Sequence, residues 1–121
     1  MCEKRYRSED LECFAREVLV SLGVPKRDAE LVSDSLIRSN LAGIDSHGIS
    51  RLTIYAKRVR EGRIAAQPEI RIARSGAVLR VDGGNGLGQV VALRALKAAI
   101  PVAEQSGLAG IAIRRSNHYG A

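Results

Sequence analysis

Three side chains with complementary chemistry recur four residues apart between Gly43 and Tyr55. They are the imidazole of His47, the guanidinium of Arg51 and the phenol of Tyr55 itself. A helix brings residues four apart onto one face, where these groups would stack. Arg51 can grip a carboxylate with two parallel hydrogen bonds, and His47 can exchange a proton near neutral pH. The spacing predicts a site that binds an anion and moves a proton, but it fits an ordinary polar helix face equally well.

The residues just before His47 favour the site. Asp45 and Ser46 precede the ring and are near enough in the chain to orient it. A helix beginning at either residue would add free backbone N–H groups and partial positive charge. Both favour a bound carboxylate and disfavour an imidazolium. The only other histidine is far away in sequence, so no metal site is expected.

That second histidine, His118, lies in the segment Ser116–Gly120, directly after a short apolar run. We predict this run, residues 108–113, to be a strand buried on both faces. In open α/β sheets, ligands tend to bind beyond the C-terminal ends of the strands. His118 and its neighbour Asn117 are therefore candidate site residues, and the alternative is an ordinary polar turn.

Helical spacing of apolar residues predicts three helices in the first half of the chain. Ser8 would cap the first, Pro25 would open the second, and Asp45 or Ser46 would cap a third that runs to about Arg60. The expected buried faces comprise Leu11, Phe14, Ala15, Val18, Leu19 and Leu22 in the first helix, Ala29, Val32, Leu36, Ile37 and Leu41 in the second, and Leu52, Ala56 and Val59 in the third.

After Pro68 the pattern changes to that of strands. Residues 69–73 and 77–81 are predicted to form a hairpin around Ser75-Gly76. A helix is expected over residues 89–105, kinked or shortened by Pro101. The expected fold class is therefore mixed α/β.

The glycine-rich segment Gly83–Gly88 precedes this last helix. It does not fit the G-x-G-x-x-G spacing of dinucleotide-binding loops, and the strand before it is predicted to be antiparallel. We interpret it as a tight turn into the helix and expect no Rossmann fold. The chain is thereby divided into a helical part, residues 8–62, and a sheet-and-helix part, residues 69–121.

Length and composition narrow the class of protein. The 121 residues are 45% apolar, which suits one globular domain, and no apolar run approaches the roughly 20 residues of a membrane helix. The net charge of +6 favours anionic ligands, but the basic residues are scattered and few aromatic residues accompany them, so nucleic-acid binding is not expected. Cys2 and Cys13 form no paired motif, which suggests free thiols in the cytoplasm.

Four stretches of the sequence resemble the malate/L-lactate dehydrogenase family of the type that lacks a Rossmann fold, whose relatives include sulfolactate, ureidoglycolate and diketogulonate oxidoreductases. Their order and separation match as well. The stretches are Gly43-Ile-Asp-Ser-His-Gly-Ile-Ser-Arg-Leu-Thr-Ile-Tyr55, Glu61-Gly-Arg-Ile64, Asp82-Gly-Gly-Asn-Gly-Leu-Gly-Gln89 and Ser116-Asn-His-Tyr-Gly120.

The resemblance implies hydride transfer between NAD or NADP and a 2-oxo or 2-hydroxy acid. It implies His47 and His118 as the candidate acid/base residues on either side of the substrate. The carboxylate of the substrate would bind Arg51, and Ser46 and Tyr55 would help to orient it. Two further residues, Asp45 and Asn117, would support this site from behind.

The family is considerably longer than 121 residues and dimeric, and most of its cofactor-binding residues lie beyond the point where this chain ends. The resemblance therefore implies an N-terminal portion that needs a C-terminal part or a homodimer and has little activity alone. The sequence also departs from the family pattern at Asn40, where an acidic residue is common, and at Tyr119, where phenylalanine is usual.

Two other classes of function are compatible with the sequence. One is a non-catalytic domain kept for carboxylate binding or for dimerisation. The other is a basic nucleic-acid-binding module, which the scattered charge disfavours.

Overall fold

A computed structural model describes residues 3–120, which form four helices and one three-stranded sheet. The helices are α1 (Ser8–Ser21), α2 (Lys26–Leu41), α3 (Arg51–Arg60) and α4 (Gly88–Ser106), and the strands are β1 (Arg71–Ser75), β2 (Val78–Gly86) and β3 (Gly110–Ser116). The sheet order is β1-β2-β3, antiparallel between β1 and β2 and parallel between β2 and β3. The predicted mixed α/β class is confirmed.

Apolar spacing explains how the helices pack. The main core is built from small and aliphatic residues of α1, α2, α3 and the start of α4, and it includes the phenol ring of Tyr55. A second contact forms where Leu79 and Val81 of β2 pack against α4. Tyr55 is only 2% exposed, so the helix that carries it is anchored by the aromatic ring itself.

The predicted third helix is interrupted, which corrects its expected start at Asp45 or Ser46. Asp45–His47 form a single 3-10 turn, and α3 begins only at Arg51. Gly48 lies between them with an extended backbone (φ −91°, ψ −149°) that no helix can contain. His47 therefore does not share a helix with Arg51 and Tyr55, although all three remain neighbours.

Several smaller expectations on the helices also need correction. Ser8 is the first helical residue, and the cap position belongs to Arg7. Phe14 and Leu41 are 56% and 72% exposed, because the buried stripes are centred elsewhere on α1 and α2. In α3, Leu52 and Tyr55 are the buried residues, whereas Ala56 and Val59 are only half-buried. Pro101 lies inside α4 without shortening it.

The sequence suggested that the glycine-rich segment is a tight turn, and this is wrong. It forms the last part of β2, which extends to Gly86, and only Leu87 separates this strand from α4. Pairing with β3 is irregular between Asp82 and Gly86, and Gly84 and Asn85 have positive φ angles of 56° and 61°. The hairpin of β1 and β2 also begins two residues later than predicted, at Arg71 and not at residue 69.

The last strand, β3, was expected to be buried on both faces, and this is wrong. It forms one edge of the sheet, and Ile111 and Ile113 are 38% and 42% exposed. Its apolar sequence is that of a covered strand, but no residue of β3 is buried, whereas Leu79 and Val81 of β2 are buried against α4. The strand nevertheless leads directly into the segment that carries His118.

Candidate functional site

The two histidines, 71 positions apart in sequence, lie side by side. The ring centroids of His47 and His118 are 5.2 Å apart, with an angle of 29° between the ring planes. His47 comes from the 3-10 turn before α3, and His118 from the segment after β3. The fold thus brings two proton-exchanging groups together from its helical part and its sheet part.

Tyr55 connects His118 to the interior. Its hydroxyl oxygen lies 2.8 Å from Nδ1 of His118, and the amide nitrogen of Gln89 donates to the same hydroxyl at 3.2 Å. Gln89 is the second residue of α4 and is 6% exposed. The result is a continuous chain of hydrogen bonds from a buried amide through a buried phenol to an imidazole at the surface.

The surroundings of this chain favour its neutral forms. Burial raises the pKa of Tyr55 above its usual value, so the phenol keeps its proton at neutral pH. Burial lowers the pKa of His118, and the positive charges of Arg51, His47 and Arg58 lower it further. His118 is therefore a neutral imidazole at pH 7 and can accept a proton.

Arg51 supplies the fixed positive charge of the site. Its Nε donates to the backbone oxygen of Ser46 at 2.7 Å, which ties the first turn of α3 to the 3-10 turn. Among residues 3–120, its two terminal nitrogens have no hydrogen-bond partner. These nitrogens can therefore grip a carboxylate while the Nε contact holds the side chain in place.

Ser46 orients the His47 ring directly. Its hydroxyl oxygen lies 2.9 Å from Nδ1 of His47, just as the Tyr55 hydroxyl faces Nδ1 of His118. Each ring thus has Nδ1 beside a hydroxyl, and neither Nε2 has a partner within the described residues. The arrangement leaves both Nε2 atoms available for a substrate.

Asp45 does not bond the imidazole and instead fixes the turn beneath it. Its carboxylate accepts from the amide of Asn40 at 2.7 Å, and Asn40 in turn accepts from the backbone N–H of Ile49 at 2.7 Å. A side chain on Gly48 would overlap the Asn40 amide. Asn40 therefore determines where the 3-10 turn ends and α3 can begin.

Asn117 likewise supports the site without facing it. Its amide donates to the backbone oxygen of Gly86 at 2.8 Å and binds Asn85 more weakly, which fastens the segment after β3 to the end of β2. The start of α4 packs directly on the same segment, since a side chain on Gly88 would overlap backbone oxygens of Asn117 and His118. These contacts fix the backbone from which the His118 ring projects.

The end of β3 is also fixed by charge. Asp82 accepts from Arg115 at 2.8 Å and forms an ion pair with Arg114 at 3.1 Å. The Arg115 bond lowers the pKa of Asp82, together with a bond from the N–H of Gly84. Arg115 has a positive φ of 50°, a conformation that bends the chain just before Asn117 and His118.

Sequence reasoning did not assign Gln89 or Asn40 to the site. Gln89 is a polar residue on an otherwise apolar buried stretch of α4, and a buried amide needs a partner. That signal was present in the sequence. The bridging role of Asn40 depends on a nine-residue separation to Ile49, which no local pattern reveals.

The glycine-rich end of β2 does not fit the phosphates of a dinucleotide. The glycines of β2 lie against the protein's own backbone: side chains on Gly83 and Gly84 would overlap backbone atoms of Arg115 and Glu69. This segment therefore has no space to cradle phosphates. Within residues 3–120, no three His, Cys, Asp or Glu side chains gather as metal ligands, and no helix is long and apolar enough to cross a membrane.

Comparison with known proteins gives a consistent result. The chain is 43% identical over 117 residues to malate dehydrogenase of Pyrococcus abyssi, covering 96% of this chain and 32% of that protein. It is 37% identical over 111 residues to the (2R)-3-sulfolactate dehydrogenase (NADP(+)) of Chromohalobacter salexigens, covering 92% of this chain and 33% of that protein. The chain thus spans about a third of the length of these relatives.

Solved structures agree with the sequence comparison. Malate dehydrogenase from Pyrococcus horikoshii OT3 matches with a TM-score of 0.89 and 40% identity, over 99% of this chain and 37% of that one. A dehydrogenase from Sinorhizobium meliloti matches with a TM-score of 0.93 and 32% identity, over 97% of this chain and 37% of that one. The profile of the malate/L-lactate dehydrogenase family matches residues 6–121. The chain therefore belongs to the malate/L-lactate dehydrogenase family.

Proposed function

We propose that this chain supplies the substrate-binding and proton-transfer side of an NAD- or NADP-dependent 2-hydroxyacid dehydrogenase. The observation that carries the proposal is the stacking of His47 on His118 beside Arg51, which has two free terminal nitrogens. The relatives named as malate and sulfolactate dehydrogenases support the same class of reaction and imply a nicotinamide cofactor.

The proposed reaction consumes one 2-oxo acid, one NAD(P)H and one proton and yields one 2-hydroxy acid and one NAD(P)⁺. The cofactor, when bound, supplies the hydride. The developing alkoxide needs a proton from a group within hydrogen-bond reach. His47 and His118 are the two candidates, because each has its Nδ1 beside a hydroxyl and its Nε2 free of protein partners.

The charges of the site suit a substrate that carries a carboxylate group. Arg51 would bind the carboxylate through its terminal nitrogens, with Ser46 and Tyr55 orienting the neighbouring rings. Arg51 is also one of the charges that lower the pKa of His118. A bound carboxylate offsets that charge, so substrate binding raises the pKa of His118 and prepares the ring to carry a proton. Asp45 and Asn117 hold the two backbone segments in place.

The rest of the active site would come from a C-terminal part or from a partner subunit in a homodimer. The glycine-rich end of β2 leaves no space for a phosphate cradle, and β3 exposes apolar side chains at the sheet edge. Because the site is incomplete without these parts, the chain alone is expected to turn over little substrate.

The unpatterned cysteines suggest the cytoplasm as the compartment.

NAD(P)H oxidation with a panel of 2-oxo acids tests the proposal. It compares the chain alone with the chain joined to the remaining two-thirds of the Pyrococcus horikoshii relative. We expect turnover only from the joined protein. Robust turnover by the chain alone would contradict the proposal that its active site is incomplete. Carboxylate binding at Arg51 without turnover in the joined protein would instead support a non-catalytic carboxylate-binding or dimerisation domain.

A further inference from the structure

The series of hydrogen bonds from Gln89 through Tyr55 to His118 contains one acceptor atom that has no hydrogen-bond partner. Gln89 donates through its amide nitrogen to the hydroxyl of Tyr55, while its amide oxygen has no partner among residues 3–120. Gln89 is 94% buried, so this oxygen is shielded from bulk water. A buried acceptor without a partner costs free energy, and a position that retains one needs an explanation.

The direction of the hydrogen bonds depends on the protonation of His118. The Tyr55 hydroxyl and Nδ1 of His118 are at hydrogen-bond distance, and a neutral ring with an unprotonated Nδ1 lets the hydroxyl accept from Gln89 and donate to that nitrogen. The proton of the neutral ring then resides on Nε2. When the ring takes up a proton, Nδ1 becomes a donor and must point at the Tyr55 oxygen. The hydroxyl proton of Tyr55 then needs a different acceptor, and the backbone oxygen of His118, 3.5 Å away, is at the limit of hydrogen-bond distance.

We propose that Gln89 is a positioning residue whose amide turns over when His118 becomes protonated, so that its oxygen accepts the Tyr55 hydrogen. Both hydrogen bonds then reverse direction: Nδ1–H of His118 donates to Tyr55, and Tyr55 donates to the amide oxygen of Gln89. No other proton is gained or lost. The Tyr55–His118 bond persists in both states, and the ring keeps its orientation toward His47.

The charges around the ring make this acceptor important. Arg51 and Arg58 of α3 and His47 of the 3-10 turn lie near His118, and positive charge on any of them opposes protonation of its ring. The side-chain hydrogen bond of its ring within residues 3–120 is to the phenol of Tyr55, with the neutral amide of Gln89 beyond it. In the described part of the chain, the Gln89 oxygen is thus a buried, unpartnered acceptor placed to stabilise the imidazolium through Tyr55.

NMR titration of the ¹⁵N-labelled 121-residue chain tests this directly. We expect the side-chain amide resonances of Gln89 to shift with the same pH midpoint as the imidazole of His118. In Tyr55→Phe, which breaks the link, the two should no longer titrate together. Gln89 resonances that do not follow the His118 midpoint in the unsubstituted chain would overturn the proposal without any variant.

A substitution measures the size of the effect. Gln89→Met keeps the shape of the side chain and removes the acceptor, so the pKa of His118 should fall by roughly half to one unit. Gln105→Met, at the exposed end of the same helix, is the matched control and should leave it unchanged. An unchanged His118 pKa in Gln89→Met would contradict the proposal. Its catalytic meaning rests on the proposed function, but these measurements need no turnover and can fail independently of it.

Discussion

At the scale of single residues, the site combines one permanent charge with two rings that can be charged or neutral. Arg51 is fixed through its Nε and free at its terminal nitrogens, whereas His47 and His118 are each held at Nδ1 by a hydroxyl. Under the proposed function, this arrangement separates the tasks of binding and proton transfer. Substitutions should therefore affect the two tasks differently.

Arg51→Lys should weaken the binding of a small dicarboxylate such as malonate to the chain by about tenfold. A lysine keeps the charge but cannot form two parallel hydrogen bonds with a carboxylate. Calorimetric titration of the chain at low ionic strength measures this loss. Arg60→Lys, the same change at an exposed position of α3, is the control and should bind malonate as the unsubstituted chain does. Equal affinity in all three proteins would remove Arg51 from the site.

The stability of the chain should fall as the solution is acidified below about pH 6.5. Burial and neighbouring positive charges lower the pKa of His118 in the folded state. Below the unfolded value of about 6.5, the unfolded ring binds more protons than the folded ring, so stability rises with pH across that window and is complete above it. Urea unfolding at several pH values measures this dependence. His118→Gln should flatten it, and an identical pH dependence in both proteins would contradict the lowered pKa.

At the scale of elements, the position of His47 depends on an interruption that the sequence concealed. The four-residue spacing of His47, Arg51 and Tyr55 suggested one helix, and Arg51 and Tyr55 do share one. Periodicity describes which residues are neighbours, but it does not register a single extended residue such as Gly48. The hydrogen bond that the backbone N–H of Ile49 donates to Asn40 determines the break, and such contacts between separate elements are not encoded in local spacing.

The position of His118 depends on the close approach of α4. Gly88→Ala should displace the segment that carries His118, because the added carbon would overlap two backbone oxygens that cannot move aside individually. We expect a loss of about 1–3 kcal/mol in the free energy of unfolding and an altered imidazole signal of His118. Chemical denaturation and NMR measure the two effects.

Gly110→Ala in β3 is the matched control for that change. A side chain there would meet only Val78, at an ordinary contact distance of 3.6 Å. It should leave both the stability and the His118 signal nearly unchanged. If Gly88→Ala behaved in the same way, the packing of α4 would not be what places the ring.

At the scale of the whole molecule, the sequence predicted the fold class and the order of elements well. The residue types of a segment did not reveal which other elements pack against it. Ile111 and Ile113 suggested a strand covered on both faces, yet β3 lies at the sheet edge with both residues exposed. Apolar composition indicates what a strand is suited to contact, and the chain spans only about a third of its relatives. The exposed apolar side chains of β3 are therefore suited to a further packing partner.

The convergence of His47 and His118 from the two halves of the molecule is the central feature, and turnover by the joined protein tests its purpose most directly. We predict that His47→Ala or His118→Ala, whichever removes the proton donor, lowers kcat by roughly 10²–10⁴-fold with 2-oxo acid and NAD(P)H. Arg51→Lys should mainly raise KM. Full activity in all three variants would contradict the account.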